Sequence, residues 1–156
     1  MIILGIDPGY ERLGIAIIEK NAKKKDALLY SDCFKTNRAF SHPERLFAIA
    51  NKCKEVIEKY KPETLGIEIL FFSGNQKTAL LVSEARGVIL SLAAEKQLEI
   101  FEFTPGEIKI AITGYGKPSK KQVADMVGTL LPFKKIALDD EYDAIAIALT
   151  TSACVR

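Results

Sequence analysis

Tryptophan is absent from this 156-residue chain, histidine occurs once and cysteine three times. Cys33, Cys53 and Cys154 form no pair with metal-ligand spacing, which excludes a zinc ribbon; an odd number of thiols in a short chain fits reduced cysteines in a cytosol. The single histidine, His42, lies in Ser41-His42-Pro43-Glu44, a helix-start pattern, so a Ser-His-Asp or Cys-His device would have to be built from a capping residue. No apolar run is long enough to span a bilayer, and Met1-Ile2-Ile3-Leu4 passes at once into Gly5-Ile6-Asp7 without a basic start, so neither a membrane partner nor a signal peptide is expected. A Walker-type Gly-x4-Gly-Lys-Ser/Thr loop is missing as well. Charge of one sign is also scarce: 22 Lys and Arg against 20 Asp and Glu leave +2, so a nucleic-acid partner has to be argued from the distribution of charge.

What is present is enough for a core. With 48% hydrophobic and 27% charged residues, the chain reads as one domain over residues 1–156, without repeats or low-complexity segments. Ile2–Asp7 is a short apolar run broken by Pro8-Gly9, and Leu13–Ile18 resumes extended character, the pattern of a hairpin. Ala27–Thr36 supplies a third strand that can pair antiparallel. From Ser41, apolar residues recur at three- and four-residue steps to Tyr60, with Ser41 and Glu44 forming a capping box and Pro62 ending the helix. A fourth strand is expected over Thr64–Leu70. Residues 76–97 read as a helix apolar nearly all round, expected to bury one face on the sheet and another elsewhere. Leu98–Phe103 alternates as a fifth strand. Thr104/Glu107 and Ser119/Gln122 are further capping boxes, and a last helix starts near Asp140 and runs through Leu149. The order is that of an α/β fold: a mixed five-stranded sheet, three antiparallel strands and two parallel additions, flanked by helices.

Four acids sit where a carboxylate is awkward for folding. Asp7 ends the first strand, Glu68 interrupts Gly66-Ile67-Glu68-Ile69-Leu70, and Asp140 and Asp143 share one helix face within a turn. Each has a structural alternative: an Asx-type turn for Asp7, the solvent face of a one-sided strand for Glu68, capping and dipole roles for the last two. Together they can meet at one end of the sheet, where mutual repulsion calls for cations. Oxygen donors without His or Cys select hard ions, Mg²⁺ or Mn²⁺, and two such ions suit in-line phosphodiester hydrolysis.

Gly5-Ile6-Asp7-Pro8-Gly9, Ile67-Glu68-x-x-Phe71, Glu84-Ala85-Arg86-Gly87 and Asp140-x-x-Asp143-Ala144 resemble, in order and over essentially the whole chain, the motifs of RuvC-type Holliday junction resolvases. The resemblance implies a ribonuclease H-like fold and a homodimeric, Mg²⁺-dependent, cytoplasmic endodeoxyribonuclease of recombination and repair. Such an enzyme makes paired symmetric nicks across four-way junction DNA and works with the RuvA–RuvB branch-migration complex. It assigns Asp7, Glu68, Asp140 and Asp143 to the metals, two Mg²⁺ per site with Mn²⁺ as a substitute. Asp140 is preferred to neighbouring Asp139 for its spacing to Asp143. Lys109 and Lys120 match functional lysines of the family, and Lys120 is also a candidate stabiliser of the transition state.

The +2 hides segregation: residues 104–138 carry Lys109, Lys117, Lys120, Lys121, Lys134 and Lys135 against Glu107 and Asp125, a local excess of +4. Lys117, Lys120 and Lys121 flank a helix start that can hold phosphate, or form a solvated loop. Phe71, in the Phe71-Phe72-Ser73-Gly74-Asn75 loop, is assigned to stacking on an unpaired base. Arg86 is either structural or a DNA contact. The spare apolar face of the 76–97 helix is the candidate dimer interface, because two sites cutting opposed strands require a two-fold. Two other readings are weighed. The Gly5–Gly9 turn resembles the first phosphate loop of actin-like ATPases, which need two domains, and a ribonuclease H-like protein could instead act on RNA or bind DNA without cutting it.

Overall fold

The computed structural model describes residues 1–70, 76–131 and 139–155. Five strands and five helices are seen there: β1 (Ile2–Asp7), β2 (Arg12–Glu19), β3 (Ala27–Lys35), α1 (His42–Tyr60), β4 (Thr64–Glu68), α2 (Gln76–Glu95), β5 (Glu99–Phe103), α3 (Pro105–Thr113), α4 (Lys120–Leu130) and α5 (Asp139–Cys154). They form one sheet in the order β3-β2-β1-β4-β5, with β1, β2 and β3 antiparallel and β1, β4 and β5 parallel, the mixed topology expected from the sequence.

β1 is buried on both faces, so it reads as a continuous apolar run rather than an alternating one. Leu4 and Ile6 point to the core shared with Ile49, Cys53 and Val56 of α1 and Ala85, Ile89 and Ala93 of α2, whereas Ile3 points to the core shared with α3, α4 and α5. Ala144 to Ala148 of α5 are all essentially inaccessible, because this helix is held between the sheet and α3 and α4. That position explains why its sequence has no polar face. It runs to Cys154, beyond the expected Leu149; Thr150 and Thr151 are tolerated in the buried stretch because their hydroxyls donate to the carbonyls of Ala146 and Ile147.

Two expectations need correction. The fourth strand ends at Glu68 rather than Leu70, leaving Ile69 outside the ladder with its N–H bonded to the Phe103 carbonyl. The 76–97 helix ends at Glu95, and among the described residues only one of its faces is covered. Ala85, Ile89 and Ala93 pack inward while Leu80 is 61% exposed, since no element of the chain lies beyond it.

Glycine at three central positions lets α5 lie against the sheet. A Cβ at Gly5 would strike the Ala144 carbonyl oxygen, one at Gly14 the Asp140 carbonyl oxygen, and one at Gly66 the Thr151 hydroxyl. Side chains there would lift the helix and carry its acidic first turn away from the strand ends.

Candidate active site

The C-terminal ends of β1 and β4 and the N-terminal end of β2 lie at one edge of the sheet. Asp7 pairs in register with Gly14, and Gly14 with Cys33. Glu68 follows the Ile6–Ile67 pair by one residue, which extends the same row across β4. Asp7, Gly14, Cys33 and Glu68 therefore share the face that α5 covers, because alternate residues of a strand point to the same side. The first turn of α5 comes down over the gap at Gly14 and brings Asp140 and Asp143, three residues apart, to that row.

The electrostatics follow from this crowding. Partial burial, and then the charges of Asp143, Glu68 and Asp140, push the Asp7 carboxyl up to about 8, with the Lys120 ammonium acting in the opposite direction. Burial raises Glu68 as well, aided by Asp143 and opposed by Lys109. Asp143 is raised mainly by burial, with Asp140 and Asp139 adding to it and Lys120 and Lys109 acting against it. All four acids of the expected tetrad thus share one electrostatic neighbourhood, and so do Lys109 and Lys120. Asp139 is exposed at the first residue of α5, whereas the Asp140 side chain is 18% exposed and faces the strands.

Asp140 is held from two sides that the sequence reading did not find. Arg12 Nε lies 3.5 Å from Asp140 Oδ2, and the Cys33 thiol donates to the same oxygen at 3.5 Å. Burial together with the Asp140 charge pushes that thiol up to about 11, so it remains a protonated donor. The signal for Cys33 was available in the strand pairing, since it lies two strands from Asp7 in the same row. For Arg12 it was the position just after the Pro8-Gly9 turn.

The donor set fits a hard divalent cation: oxygen donors from three elements, partly buried and repelling one another, with the only nearby sulfur engaged as a donor to Asp140. Among the described residues no three of these acids yet stand together as a closed cage, so ligation requires small side-chain rotations.

The other expected residues divide. Arg86 Nε donates to the Glu68 carbonyl at 3.0 Å and its guanidinium pairs with Glu102, so it ties α2 to the ends of β4 and β5; of its two expected roles, these contacts support the structural one. Lys117 and Lys121 are exposed on either side of the Ser119 cap of α4. Phe71 lies outside the described residues, as do Lys134 and Lys135. His42 caps α1 from its first residue and also bridges Tyr10, at 2.9 Å from Nδ1, and Glu84, at 2.9 Å from Nε2; this tie among the β1–β2 turn, α1 and α2 was not foreseen.

A mixed β3-β2-β1-β4-β5 sheet with an acidic helix laid across its central strands is the ribonuclease H-like fold, here bearing a carboxylate cluster suited to a metal-dependent nuclease. Residues 3–151 match the family model of crossover junction endodeoxyribonuclease RuvC. The chain belongs to that family. It is 45% identical over 150 residues to the RuvC of Alkaliphilus oremlandii, covering 96% of this chain and 91% of the relative. It is likewise 45% identical to that of Moorella thermoacetica, covering 96% and 89%. Thermus thermophilus RuvC in complex with a Holliday junction substrate superposes with a TM-score of 0.90 at 32% identity, covering 96% of this chain and 92% of that one. The yeast mitochondrial Holliday junction resolvase shares the fold, with a TM-score of 0.71 at 14% identity.

Proposed function

We propose that this chain is a structure-selective endonuclease that resolves four-way DNA junctions, cutting them by paired symmetric nicks in strands of like polarity during recombination and repair. The observation that carries the reading is the gathering of Asp7, Glu68, Asp140 and Asp143 at one sheet edge, in a member of the RuvC family.

Asp7, Glu68, Asp140 and Asp143 would hold two Mg²⁺ ions, or Mn²⁺ in their place. When bound, the pair supplies an activated water and neutralises charge on the attacked phosphate and leaving oxygen. The chain's own residues do the rest. Arg12 and Cys33 orient Asp140 through Oδ2, leaving its other oxygen for ligation. Lys120, close enough to Asp7 and Asp143 for its charge to oppose their raised pKa, stabilises the developing negative charge. Lys109 acts likewise beside Glu68, and Lys117 and Lys121 hold the backbone beyond it. Phe71 stacks at the junction centre.

One domain, residues 1–156, carries one such cluster, so paired nicking needs a homodimer. The uncovered apolar face of α2, with a groove of about 520 Å³ bordered by Ala50, Gly87, Val88 and Leu92, supports that assembly. Among the described residues no helix is long and apolar enough to cross a membrane. The reading places the protein in the cytoplasm, with the RuvA–RuvB branch-migration complex as partner.

A panel of labelled four-way junction, duplex, RNA–DNA hybrid and single strand in Mg²⁺ tests the reading. The junction is expected to be cut in preference to the others; cleavage of the hybrid alone would transfer the protein to RNA chemistry.

A further inference from the structure

The basic residues considered so far lie on α3 and α4. A second set occupies the opposite side of the carboxylates, at the β2–β3 end of the sheet. Arg12 and Lys35 are direct partners in the antiparallel register, so two cations stand side by side on the face that α5 covers, an arrangement that strand pairing by itself disfavours. With Glu11, Thr36 and Arg38 they line an open pocket of about 490 Å³. The Arg38 side chain, 83% exposed, pairs with Glu11, while Lys35 has no carboxylate partner among the described residues.

Behind the pocket is a further positive charge. Arg45, 9% exposed, donates to the Thr36 hydroxyl from Nε at 2.9 Å and from a terminal nitrogen at 2.7 Å, and its guanidinium lies 4.1 Å from the centre of the Tyr10 ring. Among the described residues no carboxylate neutralises it. A buried cation held only by neutral groups costs free energy that an anion in front of it would recover. Four cations thus converge on a cleft that contains one acid.

We propose that this pocket binds the phosphodiester backbone of DNA next to the cut, forming with the lysines of α3 and α4 a two-sided clamp around the carboxylates. The proposal rests on the junction-cutting reading. Arg12 fixes the distance: it borders the pocket and also touches Asp140, so a phosphate held there lies within about one or two nucleotides of the attacked bond, given one charge per roughly 3.4 Å of each strand. Planar guanidinium forks at Arg12 and Arg38 and the Lys35 ammonium suit phosphate oxygens, and the pocket carries no aromatic or amide side chain that would read a base. The contact is therefore expected to add affinity without sequence preference.

The test uses Lys35→Gln/Arg38→Gln, which leaves Arg12 and the carboxylates unchanged. Junction binding is measured in Ca²⁺ across a salt series, with thermal melting as a folding control. The expected result is affinity about tenfold lower and a salt slope shallower by roughly 1.8, two phosphates at about 0.9 each, with equal losses on junctions of different sequence. Lys35→Arg with Arg38→Lys should restore most of the slope. An unchanged slope and affinity in a folded double variant would overturn the proposal, as would a pocket that takes inorganic phosphate, read by NMR shifts at Lys35, but gives no shifts on adding junction. If the wild type cuts the junction and the double variant binds it normally, the clamp fails while the resolvase reading stands; if the wild type cuts no junction, the reading itself fails.

Discussion

The α-carbon of Gly14 faces the carbonyl oxygen of Asp140 so closely that a Cβ could not fit between them, and a Cβ there would also stand 3.1 Å from that of Asp7. The metal-binding edge depends on this absence of a side chain, because it sets how near the first turn of α5 comes to β1.

Gly14→Ala should therefore damage both stability and activity. The clash is with backbone, which has little freedom to yield, so the cost is expected at or above the ~1–3 kcal/mol usual for overpacked cores. A lower denaturant midpoint with unchanged slope, together with weakened Mg²⁺ dependence of cleavage, would be the signature. A variant as stable and active as the wild type would show that α5 does not need this close approach.

Asp7 makes a prediction about pH. Its carboxyl is pushed up to about 8 in the fold and returns to about 3.8 on unfolding, so the folded state binds the extra proton between those values. Stability of the metal-free protein should then be fullest below about pH 4 and fall as pH rises towards 8, with Glu68 and Asp143 acting in the same direction. Asp7→Asn should melt higher than the wild type at pH 8 in chelator and flatten the decline. Melting curves from pH 5 to 8, with and without Mg²⁺, provide the check.

Arg86→Ala removes a charge-assisted bond to the Glu68 carbonyl and the pair with Glu102. Loss of about 1.5–3 kcal/mol of stability is expected, with junction affinity at low temperature changing less than twofold. A variant of normal stability but greatly weakened binding would return Arg86 to the DNA surface.

Lys120→Ala should lower kcat about 10²–10³-fold while KM changes little, as for removal of one donor from a site of developing charge. Lys117→Ala and Lys121→Ala should instead weaken binding and reduce its salt dependence. Single-turnover cleavage separates the two classes.

The sequence revealed the strands, most helix ends and the tetrad, because those depend on local signals: alternation, capping boxes at Ser41, Thr104 and Ser119, and acids in apolar surroundings. Contacts made across the sheet were not legible in this way. Cys33 reads as an ordinary buried thiol until register puts it in the row of Asp7, and His42 reads as a capping residue until α2 brings Glu84 to its far nitrogen. Gly5, Gly14 and Gly66 are unremarkable within their own strands and gain their purpose from α5, which lies far along the chain. The apolar surround of the 76–97 helix was legible, but what covers its outer face was not, since that depends on a surface outside the chain.

The most direct measurement is nicking of a synthetic four-way junction in Mg²⁺ by the wild type and by Asp7→Asn, with junction binding followed in parallel. The account predicts two symmetric nicks from the wild type and none from the variant, with binding by both. Retained cleavage by Asp7→Asn would contradict it.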